Sequence, residues 1–168
     1  MKSTVNIIIK TVLVSAAVLI SVIYFSDRFI NKNNTEVFFV KSLNATQSGL
    51  YAVKRPLIKG KPHLDSSVIE LLKGPTPAEL KEGYYTEIPQ GTSLIEIKYL
   101  SDEIDVNLSK EFNSEGGSES LEFGLKQLVK TIFETDPEKP VYLEVEGKKL
   151  KYLGGEGLEV PQPLKKNQ

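Results

Sequence analysis

Residues 118–134 read SESLEFGLKQLVKTIFE, and this stretch decides the fold. Its apolar side chains recur at intervals of three and four residues, and they are Leu121, Leu125, Leu128, Val129, Ile132 and Phe133. This period predicts an amphipathic helix that lays one apolar face on a core. Because Pro137 and Pro140 follow, the helix is predicted to end near Glu134.

Short runs rich in β-branched and aromatic residues surround this helix and predict β-strands. The predicted strands are 35–43, 50–57, 93–100, 104–108 and 141–145, with an edge strand at 150–153. Residues 146–149 (EGKK) are interpreted as a turn, and the last segment, 156–168, as a loose tail.

Two further helices are predicted between the second and third strands. Ser67 and Glu70 have the spacing of a capping box, which predicts a helix over 66–73 that Gly74 and Pro75 stop. The sequence Thr76-Pro77-Ala78-Glu79 combines an N-cap threonine, a proline at the first helical position and an acidic residue at the third. It predicts a short helix that ends at Gly83.

These elements predict an α+β domain over residues 35–155. Strand pairs alternate with single helices, so we expect two main helices on one face of a single small, mostly antiparallel sheet. A body of this size buries enough apolar surface for its own core.

Residues 1–34 are interpreted as a membrane anchor and linker. No charge lies between Lys10 and Asp27, and residues 5–25 reach the roughly 20 residues that a spanning helix needs. An uncleaved anchor is favoured over a cleaved signal because the run ends in bulky residues, Ile23-Tyr24-Phe25. A buried core helix is the third reading. The positive charges before and after the span nearly balance, so they leave its orientation open.

Composition excludes several classes of function. The 168 residues contain no Cys and one His, so disulfides, thiolate metal sites and cysteine nucleophiles are excluded. From Thr35 onward there are 17 basic and 21 acidic side chains. A domain of that sign is a poor ligand for phosphate backbones, and we expect no nucleic-acid partner.

Two clusters resemble sites without the geometry of one. His63, Asp65, Ser66 and Ser67 suggest a hydrolase, but a triad is assembled by the fold rather than from neighbours on one loop, and we interpret them as capping residues. Asp102, Glu103 and Asp105 suggest a cation site, but too few ligands lie in the turn. We predict no catalytic residue, cofactor or metal.

Five segments, taken in order, resemble the GerMN domain family of sporulation and spore germination proteins over about residues 35–155. The segments are 67–76 (SVIELLKGPT), 86–92 (TEIPQGT), 104–112 (IDVNLSKEF), 127–132 (QLVKTI) and 145–147 (VEG). The motif residues are Leu71, Leu72, Gly74, Pro75, Thr76, Ile88, Pro89, Gly91, Thr92 and Gly147. They are interpreted as structural, since Gly74-Pro75 stops a helix and Pro89-Gln90-Gly91 makes a turn.

The resemblance implies a fold similar to the ring-building modules of secretion-type assemblies. It also implies a domain outside the cytoplasm of a bacterium, held by a single membrane span, with no enzymatic activity. This chain carries one copy of the domain, and its anchor lacks the cysteine of a lipoprotein signal.

Two functions follow as expectations. The first is a scaffold or assembly module of an envelope complex, in sporulation or germination, that contacts other envelope proteins or its own copies. Its expected surface lies beside Lys126 and Lys130, opposite acidic residues of a neighbour. The alternative is a module that binds cell-wall glycan or a small solute in a groove of tyrosines. Those tyrosines are Tyr51, Tyr84, Tyr85, Tyr99 and Tyr142.

Overall fold

The structure is a computed structural model that describes residues 33–44, 47–114, 116–155 and 157–166. The predicted membrane span lies outside these residues. Among the described residues, no helix is long and apolar enough to cross a membrane. A compact unit begins at Thr35.

The chain contains nine strands and three α-helices within the described ranges. The strands are β1 (Asn34–Asn44), β2 (Gln47–Pro56), β3 (Tyr84–Tyr85), β4 (Leu94–Tyr99), β5 (Ile104–Leu108), β6 (Val141–Val145), β7 (Lys148–Lys149), β8 (Tyr152–Leu153) and β9 (Leu158–Glu159). The helices are α1 (His63–Leu72), α2 (Pro77–Lys81) and α3 (Ser118–Glu134), with a 3₁₀ turn at Lys110–Asn113. The α+β class and the predicted long elements are confirmed.

The expectation of one sheet was wrong. The strands form a three-stranded sheet in the order β2-β1-β3, a four-stranded sheet in the order β4-β5-β6-β7, and the pair β8-β9. In the four-stranded sheet β5 and β6 run parallel, with Ile104 opposite Val141 and Leu108 opposite Val145. Parallel neighbours need a long crossover, and α3 supplies it between them.

One core joins α1 and α3 to both larger sheets. The apolar stripe of α3 lies against α1 and belongs to the same buried cluster as the apolar residues of β5 and β6, and Val37 and Phe39 of β1 enter this cluster too. The buried members of the predicted α3 stripe are Leu121, Leu125, Leu128, Val129 and Ile132, while Phe133 is half-buried.

The C-terminal segment packs on this core, so the prediction of a loose tail was wrong for residues 157–166. Val160 and Leu164 are almost fully buried. The side chain of Gln162 accepts a hydrogen bond from the Leu143 N–H and donates to the Leu143 and Leu150 carbonyls. A tail dense in prolines offers few strand hydrogen bonds, and here a side-chain amide pairs with β6 instead. The predicted turn at 146–149 also contains β7.

Candidate functional site

The first two motif segments meet in the folded chain at what we call the motif corner, residues 71–76 and 86–92. The end of α1 and the loop before β4 together line a cavity of about 390 Å³. Its walls are Leu71, Leu72, Lys73, Gly74, Thr86, Ile88, Pro89, Gln90 and Gly91. Segments that nine residues (77–85) separate in sequence therefore form one structural feature.

Most motif residues of this corner are used by the fold itself. Leu71, Ile88 and Thr92 are buried. The Thr92 hydroxyl donates to the Pro89 carbonyl at 2.7 Å, which closes the turn, and Gly91 takes the left-handed backbone (φ 86°) that this turn requires.

Thr76 is the N-cap of α2, as predicted, and it forms a capping box with Glu79. Its side chain accepts from the Glu79 N–H at 3.3 Å, and the Glu79 carboxylate accepts from the Thr76 N–H at 2.8 Å. The same carboxylate receives both arms of the Arg55 guanidinium, at 2.7 and 2.6 Å. These hydrogen bonds, with that from Arg55 first, lower the pKa of Glu79 to about 2. The pair ties β2 to the motif corner.

A row of small and polar residues on α3 holds the second segment of the motif corner, residues 86–92, in place. Gln127 is fully buried; it accepts from the Glu87 N–H at 2.8 Å and donates to the Phe38 carbonyl and the Thr86 hydroxyl. A Cβ on Gly124 would lie 2.9 Å from the Glu87 carbonyl oxygen, so only glycine admits the loop this closely. Ser120 hydrogen-bonds the Glu87 carboxylate.

Sequence reasoning missed this row. Its signal is a second helical stripe beside the apolar one, formed at intervals of four, three and four by Ser120, Gly124, Gln127 and Thr131. Residues at such spacing share one face of a helix, and a face of small and polar residues suits close contact with backbone.

A second cavity lies across the helix from that row, and we call it the lysine groove. It has a volume of about 320 Å³ and is lined by Leu50, Lys126, Val129, Lys130, Phe133, Glu134 and Lys166. The two lysines that the sequence singled out therefore lie in one groove. Lys166, from the supposed tail, is a third member that sequence reasoning did not provide.

The groove combines an apolar floor with a basic rim. Leu50, Val129 and Phe133 supply the apolar contacts. Lys126 pairs with Glu122 one turn away, and the Lys130 ammonium lies 4.7 Å from the centre of the Phe38 ring. Three lysines line the groove with one carboxylate, Glu134, and Glu122 pairs with Lys126 from outside the lining. The positive charge that remains favours an anionic occupant.

A family model described as "Germane: Sporulation and spore germination" matches residues 22–151. The chain belongs to this family. That match extends 13 residues before the 35–155 span of the motif resemblance and ends four residues earlier.

Two solved structures have the same fold as this Germane chain. The first GerMN domain of the sporulation protein GerM from Bacillus subtilis is 16% identical, with a TM-score of 0.60 over 80% of this chain and 98% of that one. The tandem GerMN domains of the same protein are 18% identical, with a TM-score of 0.57 over 75% of this chain. This chain spans 43% of the tandem structure. No curated protein matches the sequence.

In this Germane chain, the residues that suggested a hydrolase are engaged separately. The Ser66 and Ser67 hydroxyls donate to the Pro62 and His63 carbonyls. Asp65 accepts from the Tyr99 hydroxyl, and partial burial of the ring together with this hydrogen bond raises the pKa of Tyr99. The capping interpretation was also wrong, because α1 begins at His63 and its N-cap, Pro62, offers no side-chain bond.

The five tyrosines of the alternative function are dispersed over both larger sheets. Tyr84 lies under the Lys41 ammonium and Tyr142 under that of Lys149. Tyr85 and Tyr99 bond to Ser48 and Asp65. Tyr51 lies on β2, against Gly49. Each tyrosine makes local contacts on its own strand, and the five do not line a common groove.

The acidic turn after β4 has a structural use. Glu103 pairs with Lys149 at 3.1 Å across the sheet, while Asp105 is buried on β5. Across the described ranges, no group of three His, Asp or Glu side chains is placed to hold a metal ion.

Proposed function

We propose that this Germane chain is a non-catalytic assembly module of a bacterial envelope complex, in sporulation or germination, and that the lysine groove is its docking surface. The observation that carries the proposal is the groove itself. It offers three lysines around an apolar floor on a fold whose motif residues are already used in packing and turns.

The groove has the composition of a protein-docking site. Anchors at protein interfaces are apolar side chains in pockets, and a charged rim sets the choice of partner. Leu50, Val129 and Phe133 can take such an anchor, while Lys126 and Lys130 select against basic partners. The partner that this surface fits is an acidic segment of another envelope protein.

Membrane attachment would make a modest affinity sufficient. We propose that residues 1–34 hold the chain in the membrane with the domain on the outer side. A tether raises the effective concentration of two proteins in the same membrane, so weak contacts become productive.

Site-specific photocrosslinking in the native membrane tests the docking surface. We expect a photoreactive residue at Phe133, on the floor of the groove, to form an adduct that the double substitution Lys126→Glu/Lys130→Glu abolishes. A matched probe at Tyr152, which is 58% exposed and is not among the groove residues, serves as the control. The same adduct from both probes, or one that survives the charge reversal, would contradict the proposal.

The absence of cysteine permits a clean test of sidedness. A single cysteine at Tyr152 provides one thiol for a membrane-impermeant maleimide. If the domain lies outside the cytoplasm, the thiol should be labelled in cells whose outer envelope layers have been removed but whose cytoplasmic membrane is intact. Labelling only after lysis would place the domain inside and remove the envelope role.

A further inference from the structure

The three-stranded sheet protects its two edges unequally. On the β3 side, Tyr85 and Tyr84 pair with Val40 and Lys41. Beyond them, α3 takes the place of a strand: the Phe38 N–H donates to the Thr131 hydroxyl at 3.1 Å, and the Phe38 carbonyl accepts from Gln127 at 3.1 Å. This edge of β1 is therefore satisfied by side chains of a helix.

The opposite edge belongs to β2, and no described strand pairs with it there. β2 is the terminal strand of its sheet, and two residues separate it from β1, which fixes the pair as an antiparallel hairpin. Within the described parts of the chain, no backbone hydrogen bond joins the outer side of residues 47–56 to another element. Alternate residues of this strand therefore direct backbone N–H and C=O groups outward, where no described element pairs with them.

This edge also lacks the usual protection along most of its length. Proteins blunt exposed edges with charges, prolines or bulges. β4 carries Glu96, Lys98 and a register shift, and β7 is a pair of lysines. Residues 47–53 of β2 (QSGLYAV) have no charge and no proline, and only the end at Lys54-Arg55-Pro56 is blunted.

The lysine groove reaches the strand that forms this edge, because Leu50 of β2 is one of its lining residues. In a strand added along β2, alternate side chains would point to the same side, about 6.8 Å apart. Lys126 and Lys130 are four residues apart on α3, which places them about 6 Å apart along one face. The two spacings match closely enough for successive acidic side chains to meet successive lysines.

We propose that an extended, acidic segment of a partner protein adds to β2 as a further strand and directs alternate carboxylates at the lysine groove. The backbone of β2 supplies the hydrogen bonds, and Lys126, Lys130 and Lys166 supply the selection for acid. The inference rests on the proposed function and specifies the conformation and the chemistry of the partner.

A second copy of the chain fits this edge poorly. Pairing two β2 strands about a two-fold axis near Leu50 would bring two lysine grooves together across that axis. Six lysines would then lie near one another against two lining carboxylates, and like charges so placed oppose association.

A peptide with removable backbone donors tests the strand addition. The probe is the labelled heptapeptide Thr-Glu-Val-Glu-Val-Glu-Val, acetylated and amidated, titrated into the full chain in detergent micelles. Two further versions carry N-methyl groups, one on the three Glu residues and the other on the three Val residues. They keep the side chains, but each loses the donors of one strand edge.

We expect the Glu peptide to bind and one of its methylated versions to bind about tenfold more weakly, while the other retains its affinity. A peptide with Gln for Glu, and the chain with Lys126→Glu/Lys130→Glu, should each weaken binding to a similar extent. Hydrogen exchange at residues 47–53 should slow when the Glu peptide is bound.

The outcomes separate this inference from the proposed function. Equal binding of the two methylated peptides and the unmodified one would overturn strand addition but keep the groove as an acid-binding surface. No binding of the Glu peptide would overturn both. Self-association of the chain that competes with the peptide would overturn the inference in favour of a second copy.

Discussion

Neighbouring residues on α3 have opposite surroundings, and through them two regions of the molecule can be compared. Gln127 is fully buried and makes three hydrogen bonds, two to the motif corner and one to β1, whereas Lys126 is 41% exposed at its side chain and pairs with Glu122 of its own helix. The family motif thus marks residues that build a corner of the fold. The side chains that we propose for a partner lie in the lysine groove, which contains none of the ten motif residues.

The largest difference is expected at Gln127. The substitution Gln127→Leu keeps much of the volume but leaves the Glu87 N–H and the Phe38 carbonyl without their partner. The loss of both hydrogen-bond partners should reduce the free energy of unfolding by about 3 kcal/mol. Urea unfolding followed by tyrosine circular dichroism measures it. With Lys126→Leu as the matched control, similar losses at both positions would erase the distinction between the two faces.

The next effect concerns the pair Arg55–Glu79, and it depends on pH. Because the pKa of Glu79 is about 2 in the fold against 4.5 for an ordinary glutamate, the pair stabilises fully above pH 4.5. That stabilisation disappears as the pH falls toward 2. At pH 6 the free energy of unfolding of the wild type should exceed that of Glu79→Gln by about 2 kcal/mol.

Unfolding in urea at a series of pH values between 6 and 2 tests this dependence. The gap between the wild type and Glu79→Gln should shrink by more than half over that range. Glu82→Gln, at an exposed carboxyl close by, is the control. A gap that stays constant with pH would show that the pair does not titrate as described.

A smaller loss is expected at Gly124. Alanine gains about 1 kcal/mol in helix propensity, but its Cβ meets the Glu87 carbonyl oxygen at 2.9 Å, which forces the motif loop away. We expect a net loss of about 1–2 kcal/mol in the same unfolding measurement. Gly155→Ala, where a Cβ would meet open space, should be neutral. A Gly124→Ala protein at least as stable as the wild type would mean that the loop yields freely.

The smallest effect is expected in the groove. The double substitution Lys126→Ala/Lys130→Ala removes one exposed ion pair and one cation–π contact. Stability should change by no more than about 1 kcal/mol, while crosslinking from Phe133 is lost. A large loss of stability would assign these lysines to the fold rather than to a partner.

Local signals predicted the elements of the fold well. The stripe from Leu121 to Phe133 predicted α3 correctly, because a helical period that is sustained over several turns is a stronger signal than the propensity of any single residue. Thr76 and Glu79 formed their capping box, with Pro77 at the first helical position. Ser67 and Glu70 had the same spacing without forming one, since Glu70 pairs with Lys73 and the helix had already begun at His63.

Long-range partners were beyond the sequence. Alternation is the same in parallel and antiparallel strands, so nothing in 104–108 or 141–145 announced that β5 and β6 run parallel. The motif corner and the groove were each predicted in pieces. The meeting of 71–76 with 86–92, and of Lys166 with Lys126, depends on tertiary packing that the sequence pattern does not record.

The seat of Gln162 against β6 bears on how this chain acquires its fold. Leu143 finds an acceptor and a donor in the side chain of Gln162, 19 residues further along the chain. During synthesis or export the polypeptide emerges from its N-terminus, so strand β6 appears before the residue that satisfies it. Until Gln162 follows, the N–H and C=O groups of Leu143 must be hydrated, and this flank of β6 remains in contact with water.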